Sequence, residues 1–242
     1  EVDPDRHRAA DTGDEPLLMA RHVRTVIARD RVAGARLARG LGASVVVMDD
    51  GLQNPSLVKH LKLAVVDGSS GAGNGLCLPA GPLRAPLAEQ MSEADAVIVI
   101  GGGDAGERVA AVARAAKKPV LAAALKPAAT AVERLRGRKV VALSGIGRPE
   151  KFAATLRDAG AIIAAEQAHG DHHAYLESDV ATALAIAREH AALIATTEKD
   201  WTKLAPLWPG NARDVLVVVP VTLAFAEPAA ISDLLAALGK AS

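Results

Sequence analysis

The chain alternates short runs of β-branched residues with alanine-rich stretches that have helical spacing. This alternation is typical of a mostly parallel sheet covered by helices, because each parallel strand needs a crossover segment to return the chain to the same edge. The runs predicted as strands are 25–28, 44–48, 63–66, 96–100, 120–124, 139–143, 161–165, 193–196 and 215–219. The pattern therefore predicts an α/β protein.

Helices are predicted between these strands at residues 30–41, 149–158 and 179–189, and from Glu198 onward. Ser178 and Thr197 are placed to cap the last two of them. The charged stretch 126–138 interrupts the alternation, and 242 residues suffice for two domains. We predict a first α/β domain at 1–126, a second α/β domain at 127–225 and a C-terminal helix at 226–242.

Composition narrows the classes of partner. The formal net charge is zero and aromatic residues make up 2% of the chain, which argues against nucleic acid as a partner. The longest apolar run, 215–226, contains Pro220 and is too short to cross a bilayer. Because the chain starts at Glu1 rather than at Met, we expect a preceding segment in the natural protein.

Two acidic motifs follow predicted secondary-structure boundaries. In the first, Asp14 and Glu15 come after a glycine and before an apolar run, where they either complement a helix dipole or serve as catalytic or metal-linked carboxylates. In the second, Asp49 and Asp50 end the apolar run 44–48. Acids at the carboxyl edge of a sheet hold magnesium in phosphoryl-transfer enzymes, as in a Walker B motif, although Asp-Asp-Gly is also an ordinary turn.

A glycine-rich loop at 67–75, which includes Asn74, leads into the sequence LPAGPLR at 78–84. So many glycines suggest close approach of the backbone to a ligand, and the guanidinium of Arg84 suits a phosphate or carboxylate. A flexible connection with a surface arginine explains the same residues equally well.

The loop at 167–175 contains three histidines and Asp171. It could bind a transition metal or use one imidazole as a proton acceptor, while solvated loop histidines are the default interpretation. Further along, Thr197 and Asp200 have the spacing of a capping box, and Lys199 between them could contact a phosphate.

The order of these motifs resembles the tetraacyldisaccharide 4'-kinase family, and the resemblance covers essentially the whole chain. The motifs that carry it are GDEP at 13–16, DDGLQ at 49–53, GNG at 73–75, LPAGPLR at 78–84, SGIG at 144–147, DHH at 171–173 and TTEKD at 196–200. The resemblance implies two α/β/α sandwich domains with mostly parallel sheets, of which the N-terminal one, at 1–126, would be P-loop NTPase-like and bind the nucleotide and magnesium. It also implies ATP-dependent phosphorylation of the 4'-hydroxyl of a lipid A precursor, tetraacyldisaccharide 1-phosphate.

The resemblance also implies residue roles. Asp14 and His172 would activate the sugar hydroxyl, and Asp49, Asp50 and Glu15 would form the Mg²⁺ region. The residues implied in substrate or phosphate binding are Gln53, Asn74, Arg84, Asp171, His173 and Lys199. With Asp14 on one domain and His172 on the other, the site would be complete only when the cleft between them closes.

One motif of such kinases is missing, because no Gly-x-x-x-x-Gly-Lys-Thr/Ser segment occurs in the 242 residues. We expect the P-loop, and the hydrophobic helix that the family uses to reach the membrane, to precede Glu1. The resemblance implies ATP and Mg²⁺ as cofactors, a membrane surface as partner, and the cytoplasmic face of the bacterial inner membrane as location. The alternative is a non-catalytic fragment that binds a sugar phosphate or lipid A precursor.

Overall fold

A computed structural model of the chain describes residues 1–238. The strands in this range are β1 Leu63–Asp67, β2 Ala96–Ile100, β3 Val120–Pro127, β4 Lys139–Ser144, β5 Ile162–Ala168, β6 Leu193–Thr197, β7 Leu216–Val219 and β8 Val221–Phe225. The helices are α1 Ala9–Thr12, α2 Asp14–Ala20, α3 Arg31–Gly40, α4 Leu87–Glu93, α5 Asp104–Ala115, α6 Ala129–Leu135, α7 Pro149–Asp158, α8 Glu177–His190, α9 Glu198–Leu204 and α10 Pro228–Leu238. Short 3₁₀ helices at Ala205–Leu207 and Gly210–Val215 precede β7.

The chain forms two compact units. Unit 1 contains residues 1–43 and 127–222, and unit 2 contains residues 44–126 and 223–242. The predicted boundary at 126/127 coincides with one limit of these units, but residues 1–43 group with 127–222, where α2 packs against α9, and residues from 223 onward group with 44–126. The assignment of nucleotide binding to residues 1–126 stays a prediction.

Unit 1 is built on a sheet with the strand order β5-β4-β6-β7, and its paired strands are parallel. Alternate residues of β4 enter different cores. Val140 and Ala142 pack with α6 and α7, whereas Val141 and Leu143 pack with α8 and α9. Each fully buried valine or leucine contributes about 1.5–3 kcal/mol, which explains the nearly continuous apolar sequence of this central strand.

Unit 2 repeats the plan with the strand order β1-β2-β3-β8. The pairs β1–β2 and β2–β3 are parallel. One core joins Val97 to α4 and α5, and another joins Ile98 to β8 and α10. Both units are therefore α/β/α sandwiches, and the predicted fold class is confirmed.

Two predicted strands, 25–28 and 44–48, are wrong, since both segments are irregular. Val45, Val46 and Val47 are exposed, Val47 to 90%. A β-branched run forms a strand only when its backbone groups pair with a neighbour, and within residues 1–238 neither segment joins a sheet. The run is apolar, but it pairs with no strand within the described residues.

The helix predictions hold, with small shifts at their ends. Asp30 caps α3 by accepting from the backbone N–H of Val32 and Ala33. Thr197 caps α9 as predicted, but Ser178 lies inside α8, which starts one residue earlier at Glu177. The predicted C-terminal helix is found as Pro228–Leu238, and its residues 239–242 lie outside the described part. No helix in residues 1–238 is long and apolar enough to cross a membrane.

Candidate active site

Asp14 begins helix α2 and is buried against α9. Gly13 before it has φ of 90°, a backbone conformation that favours glycine and turns the chain sharply into the helix. Oδ1 of Asp14 accepts a hydrogen bond from the backbone N–H of Glu15 at 3.1 Å. The side chain is only 10% exposed, so its other oxygen needs a partner within the protein.

That partner is His172, in the loop between β5 and α8. Its Nδ1 lies 3.1 Å from Oδ2 of Asp14, so residues 158 positions apart form a hydrogen-bonded pair. His172 has φ of 57°, in the left-handed region that histidine, asparagine and aspartate enter more readily than most side chains. The imidazole is 57% exposed, and the pair therefore consists of a buried carboxylate and an accessible ring.

Both members of this pair lie in unit 1. The expectation that they come from different domains is therefore wrong, because residues 1–43 pack with the later half of the chain. The contact forms within one compact unit and does not depend on domain closure.

The charges around Asp14 keep it ionised. Burial alone raises the pKa of its carboxyl, but the hydrogen bond from His172 and the charges of Lys199, Lys203 and His172 outweigh burial and lower the pKa below its ordinary value. An ionised carboxylate can only accept hydrogen bonds, so Asp14 accepts one from the Nδ1–H of His172. This hydrogen bond fixes the orientation of the ring and leaves Nε2 as the nitrogen that can accept a proton.

Lys199 links the other predicted residues of unit 1. Its Nζ lies 3.4 Å from Glu15 Oε1 and 3.4 Å from Asp171 Oδ1. Burial lowers the pKa of Lys199, and the charges of Asp14, Asp171 and Glu15 more than compensate, so the pKa is raised overall. Asp171 in turn accepts from the backbone N–H of His172 at 3.0 Å. The structure thus gathers five predicted residues: Asp14, Glu15, Asp171, His172 and Lys199.

A second, deeper set of polar groups lies below Asp14. Lys203 Nζ is 3.4 Å from Asp14 Oδ2 and 3.7 Å from Oδ1 of the fully buried Asp200. Asp200 also receives a 2.8 Å hydrogen bond from the hydroxyl of Thr197. The Tyr175 hydroxyl is buried beside it, and burial together with the Asp200 charge raises the pKa of that phenol.

The loop after β4 has no room for a side chain at Gly145. A Cβ there would come within 2.9 Å of the Tyr175 hydroxyl and 3.2 Å of Asp200 Oδ1. This close approach explains why the first glycine of the SGIG motif has no side chain. The glycine allows β4 to end directly against the buried polar groups.

His173, predicted to contact substrate, is bonded to Asp179 in the first turn of α8. Its Nε2 lies 3.0 Å from Asp179 Oδ2, and its ring stacks on that of His169 with centroids 4.1 Å apart and an angle of 14°. These three side chains are the group within residues 1–238 whose potential ligand atoms come within 4.8 Å of one another. A metal lies close to the plane of each imidazole that binds it, and two stacked, nearly parallel planes do not meet near the rings. We therefore interpret the group as a hydrogen-bonded stack that stiffens the His172 loop.

The remaining predicted residues lie in unit 2. Arg84 forms a two-bond pair with Asp50, at 3.0 and 2.6 Å, and both side chains are exposed. Asp49 is exposed and makes no side-chain hydrogen bond or ion pair within the described residues. Gln53 donates to Gln90 at 2.9 Å, and Asn74 donates to the Ala80 carbonyl at 2.8 Å, so Asn74 holds its own loop together.

Comparison with known proteins decides the family. The family model described as LpxK: Tetraacyldisaccharide-1-P 4'-kinase matches residues 1–239. Two curated relatives carry the name Tetraacyldisaccharide 4'-kinase. The one from Rhodopseudomonas palustris (strain BisA53) is 51% identical over 95% of this chain and 67% of its own length. The one from Methylorubrum extorquens (strain PA1) is 52% identical over 98% of this chain and 70% of its own.

The chain belongs to the tetraacyldisaccharide 4'-kinase family. The resemblance read from the motif order is thereby confirmed, as is the class of enzyme, a lipid kinase. A solved structure supports the fold, namely the "apo" form of LpxK from Aquifex aeolicus in complex with ATP. It matches with a TM-score of 0.65 at 21% identity, over 95% of this chain and 70% of that one.

The sequence alone indicates no role for Lys203, Tyr175 or Asp179, and it indicates Asp200 only as part of a cap; the structure places all four near the predicted residues. A local signal existed for Lys203, because it follows Lys199 by four residues and Asp200 by three, which places all three on neighbouring positions of α9. Nothing local indicated that this helix packs against Asp14.

Proposed function

We propose that this chain catalyses phosphoryl transfer from ATP to the 4'-hydroxyl of tetraacyldisaccharide 1-phosphate, the lipid A precursor. The observation that carries the proposal is the hydrogen-bonded Asp14–His172 pair in a chain of this kinase family. The LpxK structure that matches the fold contains ATP, which supports ATP as the phosphate donor.

The pair has the properties of a hydroxyl-activating group. In the reaction the 4'-oxygen bonds to the γ-phosphorus while the bond from that phosphorus to the β,γ-bridging oxygen breaks, and ADP leaves. The hydroxyl proton passes to the Asp14–His172 pair. The buried carboxylate keeps the exposed imidazole in one orientation, so that the proton acceptor is already in place when the sugar arrives.

One cationic side chain in each unit suits a phosphate. In unit 1, Lys199 is held between Asp171 and Glu15, and its charge helps to lower the pKa of Asp14. In unit 2, Arg84 already binds a carboxylate through two parallel bonds, the geometry with which guanidinium also binds phosphate. We assign both to phosphate or sugar positioning, with Gln53, Asn74, Asp171 and His173 as supporting residues.

The proposed Mg²⁺ ligands are Asp49 and Asp50, because hard carboxylate oxygens are the donors that this ion prefers. The exposed Asp49 fits this role as it stands, whereas Asp50 has both oxygens on Arg84. Glu15, the third predicted ligand, is held by Lys199 in unit 1. When bound, Mg²⁺ would neutralise charge on the nucleotide phosphates.

The proposed substrate is a lipid, so we further propose that the enzyme works at a membrane surface. Because the proposed donor is ATP, which is a cytoplasmic nucleotide, we propose that this surface is the cytoplasmic face of the inner membrane.

The experiment is transfer of labelled phosphate from ATP to tetraacyldisaccharide 1-phosphate by the protein and by its Asp14→Asn and His172→Asn variants. We expect labelled product with the unchanged protein and a loss of about 10²- to 10⁴-fold in kcat with either variant, the range that proton-transfer groups contribute. Lipid binding without turnover by the unchanged protein would support the non-catalytic alternative instead.

A matched control uses a histidine on the same unit that takes no part in the pair. His190, in the last turn of α8, is half-buried and lies outside the loop that carries His172. His190→Asn should transfer phosphate at the unchanged rate, and a loss as large as that of His172→Asn would contradict the specific role of the pair.

A further inference from the structure

Lys203, Asp200 and Tyr175 form a largely buried polar cluster beside Asp14, and the proposed reaction gives none of them a role. Lys203 projects from the last turn of α9, and its side chain is only 10% exposed. Its ammonium has acidic oxygens from two helices near it, Asp14 Oδ2 from α2 and Asp200 Oδ1 from its own helix. The ring of Tyr175 closes a third side, with its centroid 5.5 Å from Nζ.

From this arrangement we infer that Lys203 is a positioning residue for Asp14: its buried ammonium holds Oδ2 where it meets Nδ1 of His172. The inference rests on the proposed function, in which the Asp14–His172 pair activates the sugar hydroxyl. Lys203 itself does not touch the substrate in this scheme and acts through Asp14.

Burial restricts where this ammonium can lie, and within the described residues Nζ makes ion pairs but no hydrogen bond. A buried ammonium that lacks an anion is costly, so Lys203 must stay near a carboxylate in the folded protein. Asp200 is fixed from below, because its backbone N–H and its carboxylate both bond to the Thr197 hydroxyl at the start of α9. Lys203 therefore has little freedom, and Asp14 is pulled toward a cation whose position the helix sets.

The orientation of Asp14 is otherwise weakly determined. Its Oδ1 accepts one local bond from Glu15 N–H, and Oδ2 is shared by His172 and Lys203. The imidazole of His172 is 57% exposed, so the buried ammonium of Lys203 is the more shielded of the two partners of Oδ2. Lys199 contributes charge but makes its ion pairs with Glu15 and Asp171 rather than with Asp14.

The test replaces Lys203 by the uncharged, similarly long methionine and by arginine. In the kinase assay with the full chain, Lys203→Met should lower kcat about 10- to 100-fold, the effect of a small misplacement of a catalytic group. KM should change less than threefold, about 0.6 kcal/mol in binding. Lys203→Arg, which keeps the cation, should recover most of kcat.

A second readout needs no turnover. Nitrogen NMR of the histidine rings reports which nitrogen of neutral His172 carries the proton, and a carboxylate at Nδ1 favours the Nδ1–H form. We expect the unchanged protein to show this form. In Lys203→Met, Oδ2 of Asp14 should move away from Nδ1, so the proton of His172 should shift toward the Nε2–H form. A purely structural lysine would leave the proton on Nδ1.

Lys62→Met is the matched control, because Lys62 is a partly buried lysine paired with Glu93 in unit 2. It should change neither kcat nor the His172 signal. If Lys203→Met does not fold, the double variant Lys203→Met/Asp200→Asn removes both buried charges and carries the same two measurements.

A folded Lys203→Met, or the double variant in its place, with kcat within twofold of the unchanged protein and an unaltered His172 proton would overturn the inference. Failure of the proposed function has a different signature, which is no phosphate transfer by the unchanged protein while the His172 signal still responds to Lys203→Met.

Discussion

The two units carry acidic motifs of similar appearance in very different surroundings. In unit 1, Asp14 and Asp200 are buried and contact His172 and Lys203. In unit 2, Asp49 and Asp50 are exposed, and Asp50 pairs with the exposed Arg84. Charge interactions strengthen as water is excluded, so equal numbers of carboxylates fix the geometry tightly in one unit and loosely in the other.

The largest expected effect tests whether the carboxylate and imidazole of the Asp14–His172 pair act as one group. If Asp14 and His172 work as one group, the double variant Asp14→Asn/His172→Asn should lose no more kcat than the worse single variant, about 10²- to 10⁴-fold. Steady-state kinetics of the four proteins measures this. Losses that multiply would mean that the two residues act separately.

The next effect concerns stability. Asp200→Ala leaves the ammonium of Lys203 with half of its compensation and should lower the free energy of unfolding by about 3–5 kcal/mol. Urea denaturation at neutral pH, with an unchanged slope, is the measurement. A loss below 1 kcal/mol would show that solvent reaches this pocket and would remove the contrast between the units.

A smaller effect is expected at Asp179, which bonds both His173 and the backbone N–H of Leu176 at the start of α8. The bond from Leu176 is the main cause that lowers the pKa of Asp179, against burial and with help from His173 and His169. Asp179→Asn should cost about 1 kcal/mol of stability at neutral pH, as for a lost helix cap.

The pH dependence follows from the direction of that shift. A carboxyl with a lowered pKa in the folded state stabilises the protein above the pKa of its unfolded form, and the contribution is lost as the pH falls through the folded value. The stability difference between the unchanged protein and Asp179→Asn should therefore be constant near neutrality and shrink on acidification below about pH 4. A difference that persists in acid would assign the effect to packing.

The smallest expected effect is at the exposed pair. Arg84→Gln removes its bonds to Asp50 but should leave the thermal midpoint within experimental error of the unchanged protein, because water and salt screen such pairs. Differential scanning calorimetry at low and high salt is the check. A clear fall in the midpoint would mean that Asp50 and Arg84 are more constrained than their exposure indicates.

A strand could be predicted correctly from the sequence where the apolar run also pairs with a neighbouring strand in the fold. Residues 139–143 were expected to be a strand and form β4, which lies between β5 and β6. Residues 44–48 have an equally apolar sequence but remain irregular. Propensity is local, whereas pairing depends on what lies alongside, and no pattern within the run itself supplies that information.

The site divides in the same way. The motif order identified Asp14 and His172, and the structure brings them to 3.1 Å. Lys203 was missed because its contact with Asp14 arises from the packing of α9 on α2, across nearly the whole of the chain. His173 adjoins His172 in the sequence, but its ring turns to Asp179, since adjacent loop residues point in different directions. Its contact with substrate stays a prediction.

The positive φ of His172 affects how any replacement at this position is read. Alanine carries a Cβ but has no polar side chain to support a left-handed backbone, which costs about 1–2 kcal/mol for such residues. His172→Ala would thus report lost chemistry together with a loop that drifts toward another conformation. Asparagine tolerates the same backbone and glycine adopts it freely, so a series of the three separates the contribution of the ring from that of the main chain.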